Sequence, residues 1–203
     1  MFSLGRSIEL FNAGGPIMYL ILVCSFTVIT IFIERWLYFR GLKPLPGRFA
    51  ADTEEMLVKG EFDRAARFCA EEGSIAAKVA AAGILSLKQA SSRLENVLDA
   101  EAVYLTGKLR KNINHLESIV TVAPLLGLLG TVIGMIDSFK VIDVKNGQPL
   151  AITGGIGEAL VATAFGLCVA ILAMAAYSYF NHRIDKIITD IEEVSALIIR
   201  NAR

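Results

Sequence analysis

The run GGIGEALVATAFGLCVAILAMAAYSYF, from Gly154 to Phe180, decides the fold class. No charged residue interrupts it between Ala159 and Phe180. A helix that crosses the hydrocarbon core of a bilayer needs about 20 consecutive and mostly apolar residues, which this run supplies. One carboxylate, Glu158, stands about eight residues, or roughly 12 Å of helix, after Leu150, where the apolar character begins. The run therefore predicts a membrane-spanning helix with one acidic residue toward one end.

Composition and two further apolar windows extend this prediction to the whole chain. Hydrophobic residues make up 54% of the 203 residues, above the share of about 45–50% that is usual for soluble domains. Windows long enough to cross a membrane also run from Pro16 to Ile33 and from Ser118 to Ile136. The 20 basic residues balance the 20 acidic ones, so the total charge gives no indication of a nucleic-acid partner. We expect an all-α integral membrane protein with three transmembrane helices, in contact with membrane lipids.

The basic residues are distributed unevenly and predict the topology. Residues 34–115 hold 13 of the 20 lysines and arginines. The tail after the third span adds four more: Arg183, Lys186, Arg200 and Arg203. Because cytoplasmic segments next to spans are enriched in lysine and arginine, the middle region and the C-terminus are predicted to be cytoplasmic. The N-terminus and the short loop before the third span are then periplasmic.

These observations divide the chain into seven predicted segments. They are an N-terminal interfacial helix (1–15), a first span (16–34), a cytoplasmic helical region (35–115), a second span (116–142), a periplasmic loop (143–150), a third span (151–180) and a cytoplasmic tail helix (181–203). Within the cytoplasmic region, the polar and alanine-rich segment from Asp52 to Ala90 predicts two or three short amphipathic helices. Ser92 and Glu95 have the spacing of a capping box and predict the start of the next helix.

A seam of residues at intervals of four and three begins at Leu94 and continues through the second span. It predicts one helix of roughly 50 residues that runs from the cytoplasm through the bilayer. Inside the spans the seam consists of small residues, which let membrane helices approach closely. We infer a homo-oligomer whose second and third spans line a shared interior; the alternative is that these faces pack together within one chain. The residues assigned to partner-helix or inter-subunit packing are Gly127, Gly130, Gly134, Ser138, Ala159, Gly166 and Ala170.

Thr131, Glu158 and Thr163 are the candidate residues for a proton pathway. A carboxylate inside a span is costly, so it usually faces a bundle interior or a wet cavity and marks an ion or proton route. A threonine hydroxyl donates and accepts hydrogen bonds at once, so a ring of threonines can hold a water chain. The alternative for Glu158 is a carboxylate at the outer interface that helps to cap its helix. The alternative for each threonine is a bond to a carbonyl of its own helix.

No pattern in the sequence points to an enzyme, a metal site or another cofactor. The motifs HExxH, GxSxG and the P-loop are absent from the sequence. Its three cysteines and two histidines lack the paired spacing of a disulfide framework or a zinc site. A membrane enzyme that uses Glu158 as an acid or base would lack a second catalytic group. We therefore expect neither catalytic nor metal-binding residues.

The stretches APLLGLLGTVIGMIDSF (Ala123 to Phe139) and GGIGEALVATAFGL (Gly154 to Leu167) together resemble the MotA/TolQ/ExbB proton-channel family. Three spans with a large cytoplasmic region between the first two are similar to the ExbB and TolQ branch. The stretches GGPIMYLIL and IERWLYFR around the first span are also typical of that family, so the resemblance covers nearly the whole chain.

The resemblance implies a pentamer in the bacterial inner membrane, around a dimer of a single-span partner of the ExbD or TolR type. In that family the partner's span carries the proton-binding aspartate, and the matching motifs place Thr131, Glu158 and Thr163 in the polar ring around it. The implied function is that of an ExbB-like motor subunit, which uses proton motive force to act on a periplasmic protein such as TonB for outer-membrane transport. Two alternatives are a TolQ-like motor that acts on a TolA-like protein for envelope integrity, and a non-conducting membrane scaffold.

Overall fold

The computed structural model describes residues 15–88, 93–144 and 149–202, and for residues 140–144, 149–155 and 158 it places the main chain only. The described residues form helices and connecting turns, which confirms the all-α prediction. In chain order the helices are α1 (Ile17–Arg40), α2 (Phe49–Val58), α3 (Phe62–Glu72), α4 (Ile75–Lys88), α5 (Leu94–Arg110), α6 (Ile113–Val144) and α7 (Pro149–Arg200).

Three of the described helices are long and apolar enough to cross a membrane, as the sequence predicts. These candidate spans fall within Ile17–Arg40, Ile113–Phe139 and Ala159–Arg200. Helix α7 extends over 52 residues, so the segments predicted as the third span and the tail helix are one continuous helix. The predicted interfacial helix (1–15) and the capping-box residue Ser92 lie outside the described residues, apart from Gly15, and so does the middle of the predicted loop.

The described chain divides into two compact units, each with its own core. One unit holds the chain through Glu34 together with Asn112–Ser178, and the other holds Arg35–Lys111 together with Tyr179–Arg203. The first unit therefore contains most of α1, all of α6 and the apolar part of α7. The second contains α2 to α5 and the polar end of α7. The three helices predicted as candidate spans contribute their apolar segments to the first unit.

In the second unit, the segment predicted to form two or three short helices forms α2, α3 and α4. Phe49 of α2 stacks on Phe68 of α3, with ring centroids 5.5 Å apart. Gly73 directly follows the last residue of α3, and its φ of 74° is a left-handed conformation that glycine adopts without strain. The next residue, Ser74, begins α4 by accepting a hydrogen bond from the amide of Ala77 at 3.3 Å. The left-handed Gly73 and the Ser74 cap separate α3 from α4, and the aromatic contact packs α2 on α3, so this alanine-rich segment forms three short helices.

The prediction of one continuous helix from Leu94 through the second span is wrong. Helix α5 ends at Arg110 and α6 begins at Ile113. Between them Lys111 is extended, with ψ of 134°, and Asn112 has a positive φ of 64°. The periodicity of the seam continues across this break, so the spacing of apolar residues does not indicate it.

Candidate functional site

Helices α6 and α7 cross at a contact where main chain meets main chain. A Cβ atom built on Gly166 would lie 2.6 Å from the carbonyl oxygen of Ala123 and 3.1 Å from the Cα of Gly127. A Cβ on Gly127 would lie 2.9 Å from the Cα of Thr163. Real Cβ atoms do not approach other atoms this closely, so the crossing requires glycine at both positions. The small residues of the two predicted seams therefore pack on each other.

A second close approach lies one turn further along α6. A Cβ on Gly130 would lie 2.7 Å from the Cβ of Ala162 and 3.6 Å from the Cγ2 of Ile17 in α1. Ala123 and Ala162 are completely buried. Sequence periodicity did not select these two alanines, although each stands four residues before a seam glycine and so shares its face. A helix with 3.6 residues per turn buries a stripe that is wider than a single seam.

Thr163 joins the two helices by a hydrogen bond. Its Oγ1 donates to the carbonyl oxygen of Gly127 at 2.8 Å. The bond forms because α7 approaches the main chain of α6 within reach of a threonine side chain. Thr163 thus departs from the alternative in which its hydroxyl bonds to a carbonyl of its own helix. The sequence placed Thr163 on the packing face but gave no signal for its acceptor, because spacing identifies a face and not the atoms opposite.

Thr131 and Ser138 bond to their own helix. The Thr131 hydroxyl donates to the carbonyl of Leu128 at 2.6 Å, and the Ser138 hydroxyl donates to the carbonyl of Gly134 at 2.8 Å. Both side chains are buried, with exposures of 7% and 5%. Thr131 therefore follows the alternative of an own-helix bond. The Thr131 and Thr163 hydroxyls donate to different carbonyls.

The other residues predicted for packing or for the proton pathway lie on α6 and α7, and one of their side chains is outside the described residues. Ala159 and Ala170 are buried, and Gly134 is partly exposed. The side chain of Glu158 lies outside the described residues, although its main chain is part of α7. The faces assigned to packing between subunits are thus largely used within one chain, which is the alternative that the sequence left open. Contacts of these residues with further subunits or a partner helix stay a prediction.

Helices α6 and α7 together carry three buried or half-buried hydroxyls, those of Thr131, Ser138 and Thr163. A hydroxyl that donates its proton to a carbonyl still has lone pairs that accept a hydrogen bond. Thr131 and Thr163 can therefore each accept a proton donor, such as a neutral carboxyl group, without breaking their present bonds. Among the described residues, no group of three or more histidine, cysteine, aspartate or glutamate residues could hold a metal ion.

The sequence comparisons agree with this arrangement of spans. Residues 71–193 match the model of the MotA/TolQ/ExbB proton channel family. Over 194 residues, covering 95% of this chain and 69% of the relative, the chain is 30% identical to a protein of Methanothermobacter thermautotrophicus named as a homolog of the biopolymer transport protein ExbB.

Two further relatives match over shorter stretches. The Tol-Pal system protein TolQ of Pseudomonas aeruginosa is 37% identical over 98 residues, which cover 46% of this chain and 42% of the relative. The biopolymer transport protein ExbB of Neisseria gonorrhoeae is 48% identical over 75 residues, which cover 36% of this chain and 34% of the relative.

Proposed function

The chain belongs to the MotA/TolQ/ExbB proton channel family, and from this premise we propose that it is the ExbB-like subunit of a proton-driven motor. Its partner is a single-span protein of the ExbD or TolR type, whose aspartate binds the proton. The motor uses proton motive force to act on a periplasmic protein such as TonB for outer-membrane transport. The observation that carries this proposal is the family match over residues 71–193, a range that includes Thr131, Glu158 and Thr163.

In the proposed mechanism the partner's aspartate crosses the apolar interior in its protonated, neutral form. Thr131 and Thr163 supply hydrogen bonds where the aspartate loads and releases its proton, and Glu158 belongs to the same route. Each proton that crosses supplies about 2.3 kcal/mol per 100 mV of membrane potential. This energy drives rotation or rocking of the partner within a pentamer of this chain.

The proposed location is the bacterial inner membrane, with the N-terminus periplasmic and the C-terminus cytoplasmic. The distribution of lysine and arginine supports this orientation. A pentamer requires faces for packing between subunits in addition to those that α6 and α7 use on each other. Exposed apolar side chains on both helices, such as Leu125 and Phe165, are available for lipid, for further subunits or for the partner.

The test is proton flux through the complex with its partner in liposomes. Thr163→Val removes the hydroxyl and keeps the shape, so we expect proton-driven activity to fall about two- to tenfold, because a hydrogen bond between neutral groups contributes about 0.5–1.5 kcal/mol. Thr163→Ser keeps the hydroxyl and is expected to retain most of the activity.

Thr30→Val is the matched control, since the Thr30 hydroxyl in α1 bonds to its own helix, at 2.8 Å from the Phe26 carbonyl. Wild-type flux in an assembled Thr163→Val complex would count against the Thr163 hydroxyl as part of the proton pathway, whereas absence of proton flux in the wild-type complex would argue for the scaffold alternative. Replacing Glu158 by alanine tests the second group of the route. Loss of assembly would assign Glu158 a structural role, and loss of flux alone would place it in the pathway.

A TolQ-like motor is the second candidate, and the similarity to a TolQ protein supports it. The two candidates differ in the periplasmic protein on which the motor acts. Crosslinking of the assembled complex in cells, followed by identification of the bound periplasmic protein as TonB-like or TolA-like, distinguishes them.

A further inference from the structure

The break between α5 and α6 is explained by its own sequence only in part, through Asn112. The segment from Lys108 to Ile113 contains neither glycine nor proline, the residues that most often end a helix. Leucine and isoleucine continue at helical spacing on both sides, at Leu105, Leu109, Ile113 and Leu116. Without an outside influence, this stretch is expected to form a continuous helix.

Arg35 of α1 supplies that influence on the α5 side. Its Nη1 donates to the carbonyl oxygen of Lys108 at 3.3 Å and lies 3.5 Å from that of Leu109. The side chain is buried, with 3% exposure, and its Cζ lies 4.8 Å from the centre of the Tyr38 ring. A cation next to the last carbonyls of a helix is stabilised by their partial negative charge.

The acceptors that Arg35 occupies are those that a continuous helix needs. In an α-helix, each carbonyl accepts the amide four residues later. The carbonyl of Lys108 would accept the amide of Asn112, and the carbonyl of Leu109 would accept the amide of Ile113. The guanidinium of Arg35 stands in place of these amides, so it competes directly with continuation of α5.

Glu34, the neighbour of Arg35, contacts the α6 side of the break. The Nδ2 of Asn112 donates to the Oε2 of Glu34 at 3.1 Å. Asn112 has a φ of 64°, and asparagine is one of the few residues besides glycine that adopts this conformation readily. The carbonyl of Asn112 then accepts the amide of His115 at 3.2 Å, which begins α6.

We propose that Arg35 and Glu34 are positioning residues that hold the break between α5 and α6. Arg35 ends α5 by occupying its last carbonyls, and Glu34 retains Asn112 in the left-handed conformation from which α6 starts. Each contact lies within one of the two units. This inference goes beyond the proposed function, because it concerns the path of the chain and holds whatever the chain transports.

Hydrogen exchange of the amides of Asn112 and Ile113, in the purified full chain in lipid nanodiscs, tests the proposal. Arg35→Met keeps a long side chain without donors. It frees the two carbonyls, so the protection factors of both amides are expected to rise about tenfold or more as the helix becomes continuous. Arg40→Met is the matched control, since Arg40 in the same helix is exposed and lies over the Trp36 ring, 5.3 Å from its centre. Unchanged protection in Arg35→Met overturns the role of Arg35.

A second pair of variants decides the matter if Arg35→Met unfolds the chain. Asn112→Ala disfavours the left-handed conformation and is expected to raise the protection of Ile113 about fivefold or more. Asn112→Gly keeps that conformation accessible and is expected to retain the wild-type protection. Equal protection in the alanine and glycine variants contradicts the proposal.

Discussion

Gly166 cannot carry a side chain without a clash, because a Cβ at this position would lie only 2.6 Å from the carbonyl oxygen of Ala123. We expect Gly166→Ala to destabilise the chain by about 1–3 kcal/mol, the usual cost of overpacking a tight contact. The obstacle is main chain, which cannot rotate away. Gly157→Ala is the control, because among the described residues no atom outside its own stretch of helix backbone lies within 4 Å of a Cβ at that position. Unfolding by sodium dodecyl sulfate in mixed micelles measures both, and equal midpoints would refute the steric explanation.

Cys69 offers a second test at the scale of one residue. The side chain is completely buried in the second unit, and burial raises the pKa of its thiol from 9.0 to about 11. Because the thiolate is the reactive form, we expect N-ethylmaleimide at pH 8 to modify Cys69 about a hundredfold more slowly in the folded chain than in the unfolded chain. A variant in which alanine replaces Cys24 and Cys168 isolates this thiol for mass spectrometry.

The same pKa shift predicts the sign of a pH effect on stability. The folded state favours the neutral thiol, so its contribution is fully present below pH 9 and is lost as the pH rises toward 11. Cys69→Ala removes this dependence. Thermal melts of both proteins between pH 8 and 11 are the measurement, and parallel curves would contradict the burial effect.

At this scale the sequence predicted the faces but not the atoms that meet. Gly127, Gly166 and Thr163 were all assigned to packing or polar positions from helical spacing. That Thr163 donates to the carbonyl of Gly127 could not be predicted, because the acceptor is a main-chain atom with no sequence signature. Ala123 and Ala162 were missed for a related reason, since alanine is common in every apolar span.

Among the helices, α4 depends on a polar cap at its start. Ser74 is buried and accepts the amide of Ala77. Ser74→Ala is expected to lower stability by about 1 kcal/mol, whereas Ser74→Gly lowers it by only a few tenths. Thermal unfolding in detergent, followed by circular dichroism, distinguishes the two variants. An alanine variant as stable as the wild type would show that the cap does not stabilise this helix.

Helix ends show where reasoning from local sequence fails. Two or three short helices were predicted for this part of the second unit, because Gly60 and Gly73 interrupt the helical pattern. The break at Lys111 and Asn112 was not predicted, because the residue that occupies the carbonyls of α5 is Arg35, more than 70 residues earlier in the chain. Arg35 appeared in the sequence only as one of several basic residues beside a span.

At the scale of the whole molecule, the number of spans and the family were both accessible from the sequence. Long apolar runs predict spans because a helix needs about 20 consecutive apolar residues to cross the hydrocarbon core of a bilayer. The division into two units was harder to predict, since α1 and α7 each contribute residues to both units. The role of the Glu158 side chain in the proton pathway and the interfacial helix over residues 1–15 stay predictions.

At this scale we predict which side of the membrane each connecting segment faces. In a background without native cysteines, Asn146→Cys in the predicted loop is expected to react with a membrane-impermeant maleimide added outside spheroplasts. Val103→Cys, at a position with 73% exposure in α5, is expected to react only after the membrane is permeabilised. The opposite pattern would reverse the orientation deduced from lysine and arginine.

Arg35 also has a consequence for bilayer thickness. Its guanidinium is held at the last carbonyls of α5, next to the point where the apolar run of α1 ends. The apolar run of α1 before Glu34 is about 17 residues, or roughly 25 Å, and a typical hydrocarbon core is about 30 Å thick. A span shorter than the hydrocarbon core is accommodated by local thinning of the bilayer, by snorkelling of flanking side chains or by oligomerisation, and lipids with short acyl chains match this helix with less deformation.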